Sequence, residues 1–185
     1  MAQHQEIAIS VKGLTKIFGD RTVVDDFDME VKRGAIYGFL GPNGSGKTTT
    51  IRMMCGLLTP DGGTGQCLGF DIQTQAREIK KRVGYMTQKF SLYGDLTIRE
   101  NLDFTARMFG MDDRKTRVAQ AISDLGLEGR GGQLAGTLSG GWKQRLALAA
   151  CMIHDPDLLL LDEPTAGVDP KARREFWDEI RRLSA

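Results

Sequence analysis

The sequence has few of the features that mark several large classes of protein. It contains no apolar run of the roughly eighteen residues that a membrane-spanning helix requires, so no such helix is predicted. Residues 1–10 carry no basic segment followed by an apolar stretch, and we expect no signal peptide. The formal net charge is only +1 over 185 residues, which argues against nucleic acid or an acidic lipid surface as a partner.

Cysteine and histidine are also scarce. The three cysteines, Cys55, Cys67 and Cys151, are scattered among apolar neighbours and are odd in number. This pattern indicates buried reduced thiols rather than a metal or redox site. The only histidines are His4 and His154, and the position of His154 after a helical segment predicts a helix end or an exposed site. Together these features favour a cytosolic protein.

The apolar pattern predicts several strands. Residues 7–31 are predicted to form short strands with a turn at Gly19–Asp20, and Val23–Val31 alternates roughly between apolar and charged positions, as a half-buried strand does. Two segments, Ala35–Leu40 and Leu158–Leu161, are apolar throughout, which is typical of strands buried on both faces of a parallel sheet. The remaining predictions are a turn at Pro60–Gly65 and strands at Gln66–Ile72 and Val83–Thr87.

Helical periodicity occupies most of the other segments. Helices are predicted at Lys47–Leu57, across Leu96–Leu127 (with Leu125 among the apolar positions), at Leu146–Ile153 and at Pro170–Leu183, the last with Phe176, Ile180 and Leu183 on one face. The stretch 96–127 is predicted to be a mostly helical subdomain inserted in the sheet, with a loop at Gly129–Gly132. Strands that alternate with helices predict an α/β domain with a parallel core sheet. With 41% apolar residues, the chain is long enough for one such domain.

A glycine-rich loop is predicted between the first apolar strand and the first helix. Its eight residues fit the phosphate-loop pattern G-x-x-x-x-G-K-[ST], in which glycines let successive backbone N–H groups point at phosphate oxygens. The helix that starts at Lys47 adds the positive end of its dipole. Lys47 supplies a charge to the β- and γ-phosphates, and the Thr48 hydroxyl supplies a hard oxygen for Mg²⁺. The loop residues are Gly41, Pro42, Asn43, Gly44, Ser45, Gly46, Lys47 and Thr48.

Two carboxylates end the second apolar strand. Ligands of open α/β sheets bind just beyond the carboxyl ends of the strands, where Asp162 and Glu163 follow Leu158–Leu161. We expect Asp162 to reach the Mg²⁺ shell through water, and Glu163 to polarise the attacking water as a general base. Without the phosphate loop the pattern would be weak, because apolar strands often end in acidic residues.

A second helix N-terminus that is suited to binding an anion precedes that strand. In Leu138–Arg145, Ser139 is a good N-cap, and Gly140 and Gly141 expose backbone N–H groups. This segment lies on the far side of the predicted helical subdomain from the phosphate loop, so one subunit cannot easily bring both to one ATP. A two-fold dimer can, because the Ser139 end of each subunit then caps the γ-phosphate that its partner holds.

Three motifs stand in a characteristic order and spacing: the phosphate loop, LSGG at 138–141 and LLLLDEP at 158–164. In this order and spacing the chain resembles the ABC transporter ATP-binding subunits, over essentially its whole length. Within that family, the chain is most similar to the exporter branch that works with ABC-2-type permeases, such as the drug-resistance ATPases. The sequence segments that carry this similarity are GYMTQKFSLYGDLT, KQRLALA, and LDEPTAGVDP followed by REFW. The resemblance implies a P-loop NTPase with a RecA-like parallel core sheet, an N-terminal antiparallel β subdomain and an inserted helical subdomain near residues 90–150. It also implies one ATP-binding domain over residues 1–185.

The resemblance assigns further site residues. Phe18 matches the aromatic residue that stacks on adenine, unless it is a core residue, and Thr49 extends the ATP-binding loop. Gln88 matches the glutamine that contacts Mg²⁺ and the attacking water, so that Lys89–Leu96 would face the permease; the alternative is an ordinary polar loop. Asp169 matches the residue that contacts the partner subunit. The implied cofactors are ATP and Mg²⁺, and the implied partners are a second ABC ATP-binding domain, identical or fused, and a membrane permease at the inner face of the cell membrane.

The chain departs from the family pattern at two points. Trp142 directly follows LSGG, at a position where the family usually has glutamine, and this change is expected to alter packing at the dimer face. The family has a further strand ending in a histidine, beyond Leu183, and neither His4 nor His154 is in that place. We therefore expect the chain to be part of a larger protein and to be poorly active alone. Two alternatives stay open: a soluble ABC ATPase without a transport role, and an ATP-binding module that does not hydrolyse ATP.

Overall fold

The computed structural model describes residues 7–124 and 126–183. It divides into two compact units, one ending at Val83 and the other running from Gly84 to Leu183. His4, Leu125 and Ala185, to which the sequence predictions refer, lie outside the described residues. The single ATP-binding domain over 1–185, with its helical subdomain at 90–150, stays a prediction.

The first unit is built on an antiparallel sheet. Its strands are β1 (Ile7–Phe18), β2 (Arg21–Lys32), β3 (Gly62–Cys67) and β4 (Phe70–Asp71), in the order β2-β1-β3-β4. The turn between β1 and β2 lies at Gly19–Asp20, as predicted. Helices α1 (Lys47–Met54) and α2 (Ala76–Arg82) pack on this sheet, and its fully buried side chains include Ile9, Leu14, Met53, Ile72 and Ile79. The predicted N-terminal antiparallel subdomain is therefore confirmed.

The predicted turn at Pro60–Gly65 is wrong, because Gly62–Gly65 belongs to β3. Gly63 has a φ of 85°, and a Cβ there would lie 2.4 Å from the carbonyl oxygen of Gly13 in β1. Glycine is thus required for two backbones to approach closely within the sheet, and does not mark a turn here. The real turn is at Leu68–Gly69, inside the predicted strand Gln66–Ile72, where both residues have positive φ and connect β3 to β4.

The apolar segment Ala35–Leu40 is not the buried strand that the sequence predicts. It follows β2 as irregular chain, and Ile36, Tyr37 and Leu40 are 57%, 48% and 92% exposed. A strand that is apolar on both faces needs hydrogen-bonded neighbours and cover on both sides. Among residues 7–124 and 126–183, no strand pairs with this segment, so its composition alone does not form one.

The second unit joins two strands to a group of helices. Its helices are α3 (Ile98–Met108), α4 (Arg114–Asp124), α5 (Gly140–Met152) and α6 (Pro170–Leu183), with a 3₁₀ turn at Ala135–Thr137. They pack around an apolar core, which includes Ile98, Leu102, Leu127, Leu146 and Phe176. The predicted helical stretch Leu96–Leu127 is thus present as two helices, whereas α5 begins six residues before the predicted Leu146.

Two parallel strands form the sheet of this unit, β5 (Val83–Met86) and β6 (Leu158–Leu161). Gly84 lies against Leu159, and the backbone N–H of Asp162 donates to the Met86 carbonyl at 2.9 Å, so both strands run in the same direction. The parallel core is confirmed, but the leucines of β6 are half-buried rather than fully buried. Leu183, expected on the apolar face of α6, is 37% exposed, whereas Phe176 and Ile180 are buried.

The three cysteines are free thiols, as expected. Cys55 and Cys67 are buried and Cys151 is half-buried. Burial raises the pKa of Cys55 from its usual 9.0 to about 11, and the pKa values of Cys67 and Cys151 to about 12. No described helix has both the length and the apolarity needed to cross a bilayer.

The raised pKa of the thiols predicts that stability falls at alkaline pH. Above about pH 9 the unfolded chain releases thiol protons that the folded chain keeps up to about pH 11, so rising pH favours unfolding across this window. Urea unfolding followed by far-ultraviolet circular dichroism at pH 7.5 to 10.5 measures the loss. The matched variant C55A/C67A/C151A should be less stable at pH 7.5 but should lose less stability as pH rises. Equal slopes would contradict the assignment of buried, protonated thiols.

Candidate nucleotide-binding site

The phosphate loop leads into α1 with a backbone shape that requires glycine at Gly46. This residue is the N-cap of α1 and has a φ of 84°, and a Cβ there would lie 2.6 Å from the Val23 carbonyl oxygen in β2. L-residues with side chains rarely adopt this φ. The loop is thereby pressed against the sheet of the first unit, and Thr50 closes it with a hydrogen bond from its N–H to the Gly46 carbonyl at 2.8 Å.

The Lys47 ammonium group folds back over the loop. Its Nζ donates to the Gly41 carbonyl at 2.7 Å and to the Pro42 carbonyl at 2.8 Å. Among the described residues, no side chain caps the start of α1 and no acidic residue lies in its first turn. A cation and a helix N-terminus therefore meet at one end of the loop, which is the arrangement that attracts an anion.

The other residues of the predicted ATP-binding group lie in the same unit. Thr48 and Thr49 are half-buried in the first turn of α1, and Asn43, Gly44 and Ser45 are exposed along the loop. Phe18 ends β1 and is 50% exposed, so it is not a core residue. The ammonium group of Lys16 lies 5.5 Å from the centre of the Phe18 ring. The exposed part of the Phe18 ring offers a face on which another aromatic ring can stack.

The second unit brings Gln88 and Glu163 together. The Gln88 side-chain amide donates from Nε2 to Oε2 of Glu163 at 2.8 Å. The two residues follow β5 and β6, whose parallel pairing places the ends of both strands at the same edge of the sheet. Asp162 is 3% exposed, and its Oδ2 accepts a hydrogen bond from the Tyr85 hydroxyl at 3.4 Å. This edge thus holds two carboxylates with different surroundings, one buried and one near the surface.

Glu163 occupies a strained backbone position. Its φ is 48°, in the left-handed region that costs a non-glycine residue about 1–2 kcal/mol. The turn that follows is fixed by hydrogen bonds from the Ala166 N–H to the Glu163 carbonyl and from the Val168 N–H to the Thr165 carbonyl. This turn points the Glu163 side chain toward Gln88, away from the direction that a continued strand would give it.

The segment Leu138–Arg145, which contains LSGG, starts α5 with an N-terminus that no described side chain caps. Ser139 is the N-cap and is exposed, yet its side chain makes no capping hydrogen bond, and the first turn of α5 has no acidic residue among the described ones. A Cβ on Gly140 would meet nothing within 4 Å, whereas one on Gly141 would lie 3.0 Å from Cβ of Ala172 in α6. Gly140 therefore leaves space above the helix end, and Gly141 lets α5 approach α6.

Asp169 has a role inside the chain that the sequence analysis did not identify. Its Oδ1 accepts from the backbone N–H groups of Lys171 and Ala172, each at 3.0 Å, at the start of α6. The backbone amides of Ala172 and then Lys171 hold the pKa of Asp169 below its usual value. Asp169 is thus the N-cap of α6 with Pro170 in the first helical position, a pattern readable from the sequence. The contact with a partner subunit stays a prediction.

Two further residues were missed or misjudged. Tyr85 contacts Asp162 through its hydroxyl, and nothing in the sequence distinguishes it from an ordinary strand tyrosine. His154 is half-buried, and its ring stacks on Phe109 at 3.7 Å between centroids, so the expectation of an exposed or helix-capping residue is wrong. The contact partner is Phe109 at the end of α3, which is distant in sequence, so the residues around His154 do not reveal it.

Comparisons with known proteins give the family. The sequence profile of the ABC transporter family matches residues 24–166. The chain is 46% identical over 180 residues to the probable multidrug ABC transporter ATP-binding protein YbhF of Escherichia coli (strain K12), and 44% identical over 179 residues to the Nod factor export ATP-binding protein I of Burkholderia orbicola (strain AU 1054). Both alignments cover 96% of this chain. The fold matches CbiO1 of Clostridium perfringens, described as part of the ABC transporter complex cbiONQ, with a TM-score of 0.86 and 26% identity over 97% of this chain and 74% of that one.

The chain therefore belongs to the ABC transporter family, with the fold of its ATP-binding proteins. This confirms the resemblance and the fold class predicted from the motifs. The chain spans 31% of the length of YbhF and 59% of the Nod factor export protein.

The geometry of the phosphate loop predicts unequal effects of two glycine substitutions. Gly46→Ala adds both a strained φ and a collision with the Val23 carbonyl, whereas Gly44→Ala adds only a strained φ of similar size, 81°, because its Cβ would meet nothing within 4 Å. We expect Gly46→Ala to lower the free energy of unfolding by about 1–3 kcal/mol more than Gly44→Ala does. Urea unfolding followed by circular dichroism measures both. Equal losses would show that the loop does not press on β2 as described.

Proposed function

We propose that this chain binds ATP with Mg²⁺ and hydrolyses it to ADP and phosphate when it is paired face to face with a second ABC ATP-binding domain. The observation that carries the proposal is the phosphate loop, where the Lys47 ammonium group sits on the Gly41 and Pro42 carbonyls at the uncapped start of α1. An anionic triphosphate would accept these donors in place of the carbonyls. Membership of the ABC transporter family supports the same ligand.

The residues assigned to Mg²⁺ have suitable chemistry. Thr48, Gln88 and Asp162 offer a hydroxyl, an amide and a carboxylate oxygen, which are the hard ligands that Mg²⁺ takes alongside water and phosphate. Asp162 is the strongest candidate of the three, because it carries a charge, is 3% exposed and accepts a long hydrogen bond of 3.4 Å from the Tyr85 hydroxyl. When bound, the ion would neutralise charge that develops on the phosphate oxygens.

Positioning and charge stabilisation dominate phosphoryl transfer, and the chain supplies both. In the proposed mechanism the loop N–H groups and Lys47 hold the γ-phosphate, and Phe18 stacks on the adenine. Glu163 orients the attacking water in line, with its carboxylate placed by the strained turn. Gln88, hydrogen-bonded to Glu163 at 2.8 Å, is within reach of the same water.

The open end of α5 supports the dimer. An exposed Ser139 and the space above Gly140 would accommodate a γ-phosphate from outside the chain, presented by a partner. Asp169 would contact the partner from the start of α6. The second domain is an identical chain or a fused cassette. ATP would then hold the dimer together, and its hydrolysis would release it.

We further propose that the chain powers export through a separate ABC-2-type membrane permease, which would place it at the cytoplasmic face of the membrane. The relatives named for multidrug transport and for Nod factor export support export. Nothing in the described residues favours a soluble ABC ATPase without a transport role. Co-purification of the chain with a membrane permease would support the transport assignment, and association with ribosomes or DNA in its place would contradict it.

Loss of the Lys47 charge should weaken ATP binding itself. Lys47→Ala removes a charge-assisted contact with the β- and γ-phosphates, so we expect the affinity for ATP to fall at least about tenfold. Isothermal titration calorimetry of the intact protein measures the affinity. Lys12→Ala, an exposed lysine of the same unit, is the matched control and should bind as wild type does. Unchanged affinity for Lys47→Ala would refute the phosphate-loop assignment.

Loss of the Glu163 carboxylate should stop turnover and spare binding. Glu163→Gln keeps the shape of the side chain but removes its basicity, so we expect the rate to fall by about a hundredfold or more, while ATP-bound dimer accumulates. Steady-state phosphate release and size-exclusion chromatography with ATP measure the two effects. Glu128→Gln, an exposed carboxylate of the same unit, is the control. Turnover within about threefold of wild type would defeat the assignment of Glu163.

A further inference from the structure

Trp142, in the first turn of α5, is flanked by two guanidinium groups. The guanidinium carbon of Arg130 lies 4.0 Å from the centre of the indole ring, and that of Arg145 lies 5.4 Å from it. The indole also packs against the apolar core of the second unit. Tryptophan forms the strongest cation–π interactions of the aromatic side chains, and both guanidinium groups lie within the roughly 6 Å over which such contacts act.

Arg130 ties the indole to the start of α3. Its Nε and Nη2 donate to Oε1 of Gln133 at 3.0 and 2.8 Å, and the Gln133 amide donates onward to the Thr137 hydroxyl at 3.0 Å. The Gln133 carbonyl accepts from the Ile98 N–H, the first of α3, at 3.0 Å. The segment from Arg130 to Thr137 thus connects the start of α3, through one planar guanidinium group, to the indole in α5.

Arg145 ties the same indole to α6. Its Nη2 donates to Oε2 of Glu175 at 3.2 Å. On the neighbouring side, Gly141 approaches Ala172 closely enough that a Cβ would lie 3.0 Å away. The first turn of α5 is therefore held by two neighbours, the segment Arg130–Thr137 and α6. Trp142 contacts the first through Arg130 and the second through Arg145.

We propose that Trp142 is a positioning residue, which fixes the direction of the exposed Ser139–Gly140 end of α5 through its contacts with Arg130 and Arg145. This inference rests on the proposed function, in which that helix end caps the γ-phosphate held by the partner. The glutamine that is usual at this position has no aromatic face, so it could not bridge the two guanidinium groups in this way. In this chain the indole performs the bridging.

Variants of Trp142 test the inference in the intact protein. Trp142→Ala should leave the affinity of the isolated chain for ATP unchanged, because the phosphate loop is untouched, while maximal turnover falls about fivefold or more, the size of one cation–π contact. Trp142→Phe keeps a ring and should recover part of the rate. Trp177→Phe is the matched control, because Trp177 packs on the same core from α6, edge-on to Phe176, and it should turn over as wild type does.

A double-mutant cycle separates positioning from simple packing. If Trp142 acts through Arg130, then Arg130→Ala should lower turnover as Trp142→Ala does, and the double variant should be little worse than either single one. In a Trp177→Phe background, Trp142 is the single tryptophan of this sequence, and Arg130→Ala should shift its fluorescence emission. If Trp142→Ala fails to fold, the turnover of Arg130→Ala and the shift in fluorescence emission still test the inference; wild-type turnover or an unchanged emission would overturn it.

The results distinguish failure of this inference from failure of the proposed function. If Lys47→Ala abolishes ATP binding and Glu163→Gln traps a dimer, but Trp142→Ala turns over within about twofold of wild type, only the positioning role is overturned. Additive losses in the cycle, or equal losses for Trp142→Ala and Trp177→Phe that follow their melting temperatures, would likewise overturn it and leave a packing role. If Lys47→Ala binds ATP normally, the proposed function itself fails.

Discussion

One backbone hydrogen bond sets the geometry on which the second unit's site depends. The N–H of Asp162 donates to the Met86 carbonyl and fixes the parallel register of β5 and β6. Two residues beyond Met86 stands Gln88, and one residue beyond Asp162 stands Glu163, so this register brings their side chains to 2.8 Å. The approach of β5 to the end of α5 needs glycine at position 84, where a Cβ would lie 2.6 Å from the Cys151 carbonyl. A slip of one residue would turn both site residues away from each other.

The N-termini of the helices differ in how they are capped. Thr97 and Glu100 close the start of α3 with a reciprocal capping box, and Asp169 closes the start of α6 with two hydrogen bonds. In contrast, α1 and α5 begin at glycine and serine without a side-chain cap or an acidic residue in the first turn, among the residues described. Their N–H groups are left for another acceptor. Both of these helix ends belong to motifs for which the sequence predicts phosphate, whereas α2, which also lacks a side-chain cap, has Glu78 in its first turn.

Local chemistry was more predictable than strand formation. The phosphate loop, the carboxylates after β6 and the start of α6 follow from residue types at fixed spacing, because each is decided by neighbours within a few residues. Ala35–Leu40 and Gly62–Gly65 were misjudged because a strand depends on partners distant in sequence: the first segment has none among the described residues, and the second pairs with β1 through glycines that look like a turn. The strained φ of Glu163 and the Tyr85 contact with Asp162 likewise depend on the β5–β6 pairing and leave no local signal.

The hydrogen bond between Gln88 and Glu163 also constrains how the site can work. The Glu163 oxygen that accepts the Gln88 amide at 2.8 Å is partly occupied by that hydrogen bond and has less room to accept a proton from water. In the proposed mechanism Glu163 must act on water, so Gln88 has to release or share that oxygen at the moment of hydrolysis. Gln88 leads directly into Lys89–Leu96, whose far end is held by Asn101, a buried side chain that bonds Tyr93, Leu96 and Thr97. Movement of Gln88 would therefore be confined to the near end of this segment.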